Sequence, residues 1–330
     1  MQTNSRNGVA VLMALSLTSC LGDDGTGDEE DFEDTAEVTS EIKVNNSPSY
    51  LVVYSNNTEN LADGTCDGDG EWSRLFKYIK AQSQSPDIFL LQQISNEAQL
   101  KGLVKKMTDE LPGVYASKIA IEDPSPWMYC AASSESAPHS CSTGSCSYKK
   151  KQQTNAIIYR SDRFTAGDVI RWRSDRYQDG GCSNSNQLRV ENVGVQLHDR
   201  IANKDVSVAS FHWPTKTSDG SQCAAENSRE SRARINELGG TLQILGGDAN
   251  QSKGTQDWWD DARSAGYRDP IFETCPASGC PDSTSTSGTR RIDYMLVKGG
   301  HGFTGAKTIS PSATGGEYSN HRALRVNVKY

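Results

Sequence analysis

Short apolar runs of strand length recur from Tyr50 to the end of this chain, and most of them have a polar cluster at one end. Residues 51–54, 86–93, 155–160, 206–212, 241–245, 291–297 and 323–329 carry Val, Ile, Leu and Phe at the density of buried strands. Between them lie segments of helical period. Trp72, Leu75, Phe76 and Ile79 share one face, as do Leu100, Leu103, Val104, Met107 and Leu111 behind a capping Ser95 or Asn96. A third, charged helix is expected over about 225–238, and a fourth is capped by Thr255, runs through Trp258, Trp259 and Ala262 and stops at Gly266. Residues 188–197 and 206–212 mix apolar with polar positions in a strand-like period, which predicts an antiparallel pair. Strands and helices in this order predict two sheets packed face to face with helices outside.

The N-terminal part has a different character. An apolar run at 8–17, preceded by Arg6, has the length of a signal-peptide core and is too short to span a bilayer. It ends in Leu-Thr-Ser-Cys at 17–20, which resembles the lipobox of bacterial lipoproteins, with Cys20 as the lipidated residue. The expected organisation is a signal peptide over 1–19, a lipidated Cys20 with an acidic disordered tether over 20–45, and one folded domain over 46–330. Export to the cell envelope, as an outer-membrane lipoprotein, or secretion follows from this reading. The partner it implies is a membrane, through the anchor, and no obligate protein partner is evident. Setting Cys20 aside leaves eight cysteines, an even number that reads as up to four disulfides in an exported chain. A metal reading of Cys130, His139, Cys141 and Cys146 lacks zinc-finger or ribbon spacing. A hydrophobic share of 35% with 29 glycines is globular, and a net charge of -8 argues against non-specific coating of nucleic acid while leaving room for one local phosphodiester site.

The candidate functional residues are the polar ones at strand ends: Asn57, Gln93, His212, Asp248 with Asn250, Asp293, and Asn320 with His321. In the stretch 241–250, Gly246 and Gly247 are expected to turn the chain sharply and hold Asp248 and Asn250 at the rim of a sheet. Singly, Asn57, Gln93 and Asn320 each read more readily as a turn or strand-end amide than as a ligand. His198, His301 and His139 read as structural or exposed, Trp258 and Trp259 as packing residues, and the run Tyr148 to Lys151 as a solvated loop.

Taken in order, NTENL at 57–61, PDIFLLQQ at 86–93, NAIIYR at 155–160, Phe211-His212, GDAN at 247–250, RIDY at 291–294 and YSNHR at 318–322 resemble the motif series of the endonuclease/exonuclease/phosphatase superfamily, the deoxyribonuclease I-like fold. The resemblance covers about 50–330 and implies an α/β (α+β) fold, a four-layer αββα sandwich of two mostly antiparallel sheets flanked by helices. It also implies phosphate-ester hydrolysis assisted by Mg2+ (or Mn2+ or Ca2+), acting on nucleic acid or a phospholipid head group. Carried over, Asp248 positions or activates the nucleophile and Asn250 binds the phosphoryl oxygen. Asp293 holds a histidine or metal-bound water, Asn57 and Gln93 belong to the metal shell, and His212 and His321, with Asn320 beside it, handle protons. Gln93 stands where the family has a metal-binding Glu, and Asn320 where it has Asp. Both replacements remove negative charge: Gln93 predicts weakened Mg2+ binding and Asn320 weaker support of the His321 imidazolium, so a binding or surface protein of reduced catalytic power is the alternative.

Overall fold

The computed structural model describes residues 41–58, 71–94, 96–122, 153–174, 190–213, 220–253, 257–274, 290–319 and 321–330. The expected signal peptide, Cys20, the acidic tether as far as residue 40, Asn320, Thr255, the run 148–151 and seven of the other eight cysteines fall outside these residues. Cys223 lies in a described helix.

Strand β1 (Tyr50–Asn57), helix α1 (Glu71–Lys80) and strand β2 (Ile88–Ile94) form a βαβ unit whose strands pair in parallel. Helix α2 (Glu97–Glu110), capped by the Asn96 side chain on the Gln99 amide, leads to β3 (Tyr115–Ile119) and β4 (Gln153–Arg160). A second group begins with β5 (Phe164–Arg173), β6 (Val190–Asp199) and β7 (Lys204–His212), an antiparallel meander. Helix α3 (Gly220–Glu237) then crosses to β8 (Leu242–Asp248), parallel to β7. After α4 (Trp258–Ser264) and α5 (Pro270–Thr274), β9 (Asp293–Gly299) runs antiparallel to β8. The chain returns to the first group through β10 (Gly302–Thr308), α6 (Pro311–Thr314) and β11 (Leu324–Lys329), which pairs with β1.

The strand order is β10-β11-β1-β2-β4-β6-β7-β8-β9, with β3 on β4 and β5 on β6. The two expected sheets are thus joined at one corner, where β4 and β6 share only the pairs Gln153 with Val190 and Thr154 with Glu191. The two halves face each other across an apolar core. Leu51, Val53, Ile88, Leu90 and Ile157 from one half meet Val193, Val195, Val208, Ile244 and Met295 from the other. The residues between them point the opposite way: Val52, Tyr54, Phe89 and Leu91 pack on Trp72, Phe76, Leu100 and Met107 of α1 and α2. Phe211, Leu245 and Leu296 pack in the same manner on Ile235 of α3 and Trp258 of α4. Strands covered on both faces need apolar residues at every position, which is why the runs read as continuous. Each such side chain contributes about 1.5–3 kcal/mol on burial.

The end of the sandwich remote from the strand tips described below is closed by charge. The fully buried Arg163 guanidinium donates to Asp199 (2.9 and 2.6 Å), Asp87 (3.2 Å) and the carbonyls of Asn45 and Ser47 (3.0 and 2.8 Å). Arg160 adds a bond to Asp87 (3.1 Å), and the Tyr330 hydroxyl donates to Asp199. Asn45 is already fully buried and Lys43 bonds the backbone at Ser83 and Ser85, so the folded body begins a few residues before 46.

Several local expectations change. β3, β5 and β10 carry many exposed or half-buried positions, and such strands show no continuous apolar run to read. The residue in the cap position of α4 is Asp257, in the left-handed region at φ 55°. Gly246 and Gly247 do not turn the chain: both lie inside β8, paired with β7 and β9. Their role is close approach. A Cβ on Gly246 would sit 2.5 Å from Leu90 Cδ1 of the facing half, and one on Gly247 would sit 1.8 Å from the Phe211 carbonyl oxygen. The sharp turn falls later, at Asn250, with φ 55°.

Candidate active site

Parallel pairing puts the C-terminal tips of β1, β2, β7 and β8 at one end of the sandwich, and the sequence places polar residues there: Asn57, Gln92 and Gln93, His212 and Asp248. Register then aligns His212 with Asp248, and Asp248 with Asp293, across three neighbouring strands. His321, just ahead of β11, arrives from the other half.

Asp248 Oδ2 is the centre of this group. It accepts from Asn57 Nδ2 at 2.9 Å, and the Nε2 atoms of His212 and His321 lie 3.5 and 3.8 Å away. Its other oxygen accepts the Asn250 backbone amide at 2.7 Å, a bond made possible by the left-handed turn at Asn250. The Asn250 side chain donates to the Trp213 carbonyl at 2.6 Å, which leaves its second N–H and its oxygen for other partners. Asp293 Oδ2 lies 2.8 Å from His321 Nδ1. That hydrogen bond fixes the imidazole so that Nε2 faces Asp248.

Burial sets the electrostatics. Asp248 is 1% exposed; burial raises its pKa, the neighbouring Asp293 raises it further, and His321 and His212 act against them. Burial lowers the pKa of His212, an effect opposed by Asp248 and helped by His321. Among the described residues no Lys or Arg pairs with Asp248, so its charge is balanced only by imidazoles and amide dipoles.

Gln93 lies at a bulge one residue before the end of β2, half-buried and in the left-handed region at φ 59°. Its carbonyl accepts from Thr58 Oγ1 at 3.2 Å, which places it at the same tip as Asn57. Non-glycine residues held at positive φ are costly and gather at functional sites, and Gln93 and Asn250 are two of only four among the described residues. Six of the predicted site residues, Asn57, His212, Asp248, Asn250, Asp293 and His321, come together. Gln93 stands beside them, and Asn320 lies outside the described residues.

Sequence reasoning missed the supports. Ser319 Oγ donates to the Asn57 carbonyl (2.6 Å) and accepts the His321 amide (3.1 Å), while Asn56 Nδ2 donates to the His321 carbonyl (3.1 Å). These bonds tie the His321 loop to β1. Gln92 Nε2 donates to Ser210 Oγ at 2.9 Å, linking β2 to β7 beneath the site. The available signal was a fully buried polar residue inside an apolar run. His198, by contrast, is exposed and pairs with Asp205, His301 is exposed, and Trp258 and Trp259 are buried in packing, all as expected.

No protein-family model and no curated protein matches the sequence. Solved structures do match in fold. The human Nocturnin catalytic domain with bound sulfate shares 14% identity, covers 85% of this chain and 94% of its own, with TM-score 0.58. The D. rerio TDP2 complexed with single-strand DNA product shares 15%, covering 85% and 99%, with TM-score 0.57. The Bacteroides thetaiotaomicron mannosyl-6-phosphatase shares 18%, covering 85% and 100%, with TM-score 0.52. The fold is therefore the four-layer αββα sandwich of endonuclease/exonuclease/phosphatase proteins.

The family resemblance of the sequence motifs implies a divalent cation. Asp248, Asp293 and His321 each offer a ligand atom within 4.8 Å of the others, and among the described residues no lysine or arginine pairs with the buried Asp248 carboxylate. The donor set fits a cation.

Proposed function

We propose that this chain is a phosphodiesterase of the endonuclease/exonuclease/phosphatase superfamily, dependent on a divalent cation. The observation that supports it best is the convergence of Asp248, Asp293, His212 and His321, drawn from four separate motifs, on one point at the strand tips. The expected substrate is nucleic acid or a phospholipid head group. Two other bearers of this fold hold sulfate or a DNA product.

Asp248, pinned at both oxygens, orients the attacking water against phosphorus. Asn250, through its remaining N–H, donates to a phosphoryl oxygen. The Asp293–His321 pair holds Nδ1 protonated, so that Nε2 takes or gives a proton at the reacting oxygen, with His212 on the other side of Asp248 as the second proton carrier. When bound, the cation supplies positive charge against the charge that develops on the phosphoryl oxygens. Asp248 and Asp293, with Asn57 beside them and Gln93 at the rim, would be the residues that hold it. On its sequence features we further propose export and anchoring through Cys20, tested by palmitate labelling that Cys20→Ser abolishes.

Turnover of bis(p-nitrophenyl) phosphate, DNA, RNA or sphingomyelin with Mg2+ or Mn2+ tests the activity. Hydrolysis of at least one is expected, and none on any would overturn it. Gln93 favours a second reading, in which the natural chain binds its ligand with little turnover. Under that reading, activity appears only in the Gln93→Glu, Asn320→Asp double variant.

A further inference from the structure

We infer that a cleft between α3, α4 and β9 binds a small oxyanion of the phosphate class, at a place distinct from the strand tips. Lys298 stands opposite Gln243 on β8, five residues before Asp248, which puts the cleft roughly 17 Å down that strand, on the face covered by helices. The site is independent of the proposed hydrolysis.

Residue spacing builds the cleft. Arg229, Arg232, Ala233 and Asn236 recur at helical period and share one face of α3, where the short Ala233 leaves room between longer side chains. Asp261 of α4, Tyr267 and Lys298 line the other side of a cavity of about 250 Å3. Sites for drug-sized ligands span roughly 300–1,000 Å3, so the occupant here is small. Tyr267 gives the cavity a fixed wall: it is buried, and its hydroxyl donates to Gln243 Oε1 at 2.6 Å.

The lining is cationic in a chain whose net charge is -8: Arg229, Arg232 and Lys298 meet one carboxylate, Asp261. Arg232 is 8% exposed and held in one orientation. Its Nε donates to the Ser228 carbonyl (3.2 Å), Nη1 to the Asp261 carbonyl (3.2 Å) and Nη2 to Asp261 Oδ2 (2.6 Å). A guanidinium carries five N–H groups, so one on each terminal nitrogen is left to donate. Among the described residues Arg229 and Lys298 form no ion pair. Lys298 Nζ lies 5.4 Å from the centroid of the Tyr267 ring, a contact that leaves its three N–H donors for an anion, and Asn236 adds an amide donor. Neutralising helix ends does not account for this set, because Arg229 lies about two turns before the end of α3 and Lys298 comes from a strand. A buried, oriented guanidinium flanked by two unpaired cations is a donor set suited to the oxygens of a phosphate group.

The test is titration calorimetry of the metal-stripped full chain with inorganic phosphate at low ionic strength, with no substrate present. One equivalent is expected to bind, less tightly as NaCl is added. Arg229→Gln and Lys298→Gln are each expected to weaken binding about tenfold. Asp261→Asn, which removes the one competing carboxylate, is expected to tighten it, an effect that a purely structural role for these residues would not produce. Arg234→Gln, on the same helix but paired with Glu237, leaves it unchanged. None of the four replaced side chains is buried, and far-UV circular dichroism confirms the fold of each variant. Ribose 5-phosphate separates the two sources of the anion: tighter binding than inorganic phosphate assigns the cavity to phosphate monoesters, equal binding to free phosphate. No binding by the natural chain, binding that Arg229→Gln and Lys298→Gln leave intact, or binding that His321→Ala abolishes instead would overturn the proposal. Phosphate held here by a chain that hydrolyses no diester would leave this site standing and remove only the hydrolase reading.

Discussion

Gly247→Ala is the substitution that most sharply couples the sheet to the site. A Cβ built there lies 1.8 Å from the carbonyl oxygen and 2.7 Å from the carbonyl carbon of Phe211, on the adjacent strand β7. Cβ atoms essentially never approach a neighbour closer than 3.0 Å, and here the neighbour is backbone, so β7 and β8 must part by more than an ångström. They part where His212 pairs with Asp248 and where the Trp213 amide bonds the Asp248 carbonyl at 2.9 Å. Losing about two ladder hydrogen bonds at roughly 1 kcal/mol each, on top of an overpacking cost of about 1–3 kcal/mol, predicts a loss of about 3–5 kcal/mol. A displacement of this size between His212 and Asp248 also predicts a fall of about 100-fold in turnover. Gly246→Ala is the control: its closest contact is Leu90 Cδ1, the tip of a flexible side chain, although Ser55 Oγ at 3.1 Å limits the adjustment. About 1–2 kcal/mol is expected there. Urea unfolding gives the stabilities and bis(p-nitrophenyl) phosphate the rates. A Gly247→Ala protein as stable and active as the natural one would refute the close-approach explanation of this glycine.

Other consequences follow from the same geometry. Arg163→Met leaves Asp87 and Asp199 buried without their principal cation and should cost about 3–5 kcal/mol in urea unfolding, with the site residues themselves untouched. Asp199 is pushed up by burial, yet the Arg163 guanidinium and the Tyr330 hydroxyl hold its pKa below the usual carboxylate value. Its contribution is therefore present above an unfolded pKa of about 3.9 and lost as pH falls through the lower folded value, so the stability gap between the natural chain and Asp199→Asn should narrow below about pH 4. Gln93→Glu restores a carboxylate at the rim and should raise Mg2+ affinity by about tenfold or more, read by calorimetry. Ser319→Ala removes the hydroxyl that joins the Asn57 carbonyl to the His321 amide; a fall in turnover with little change in the unfolding midpoint is expected.

The sandwich was legible because its central strands are covered on both faces, so β1, β2, β4, β7, β8 and β9 announce themselves as apolar runs. β5 and β10 were not, since edge strands exposed to solvent carry residues such as Asp168, Arg171 and Lys307 that any loop would hold. The site residues were legible one by one at strand ends, while their distances were not. Nothing in the sequence tells that Asn57 reaches across to Asp248, a separation of 191 residues, or that Asp293 backs His321. The glycines of β8 were misread because Gly-Gly signals a turn locally, whereas here the missing side chains admit Phe211 of the adjacent strand and Leu90 of the facing half. Ser319, Asn56 and Gln92 went unnoticed because their partners lie on distant elements, and hydrogen bonds of that range leave no periodic trace.

The most direct test of the proposed chemistry is the rate of phosphodiester cleavage by His321→Ala beside the natural chain at saturating divalent cation. With Nε2 as a proton carrier held by Asp293, a loss of about 100-fold or more is expected, with folding intact by circular dichroism. Equal rates for the two proteins would contradict the assignment of this cluster as the catalytic centre.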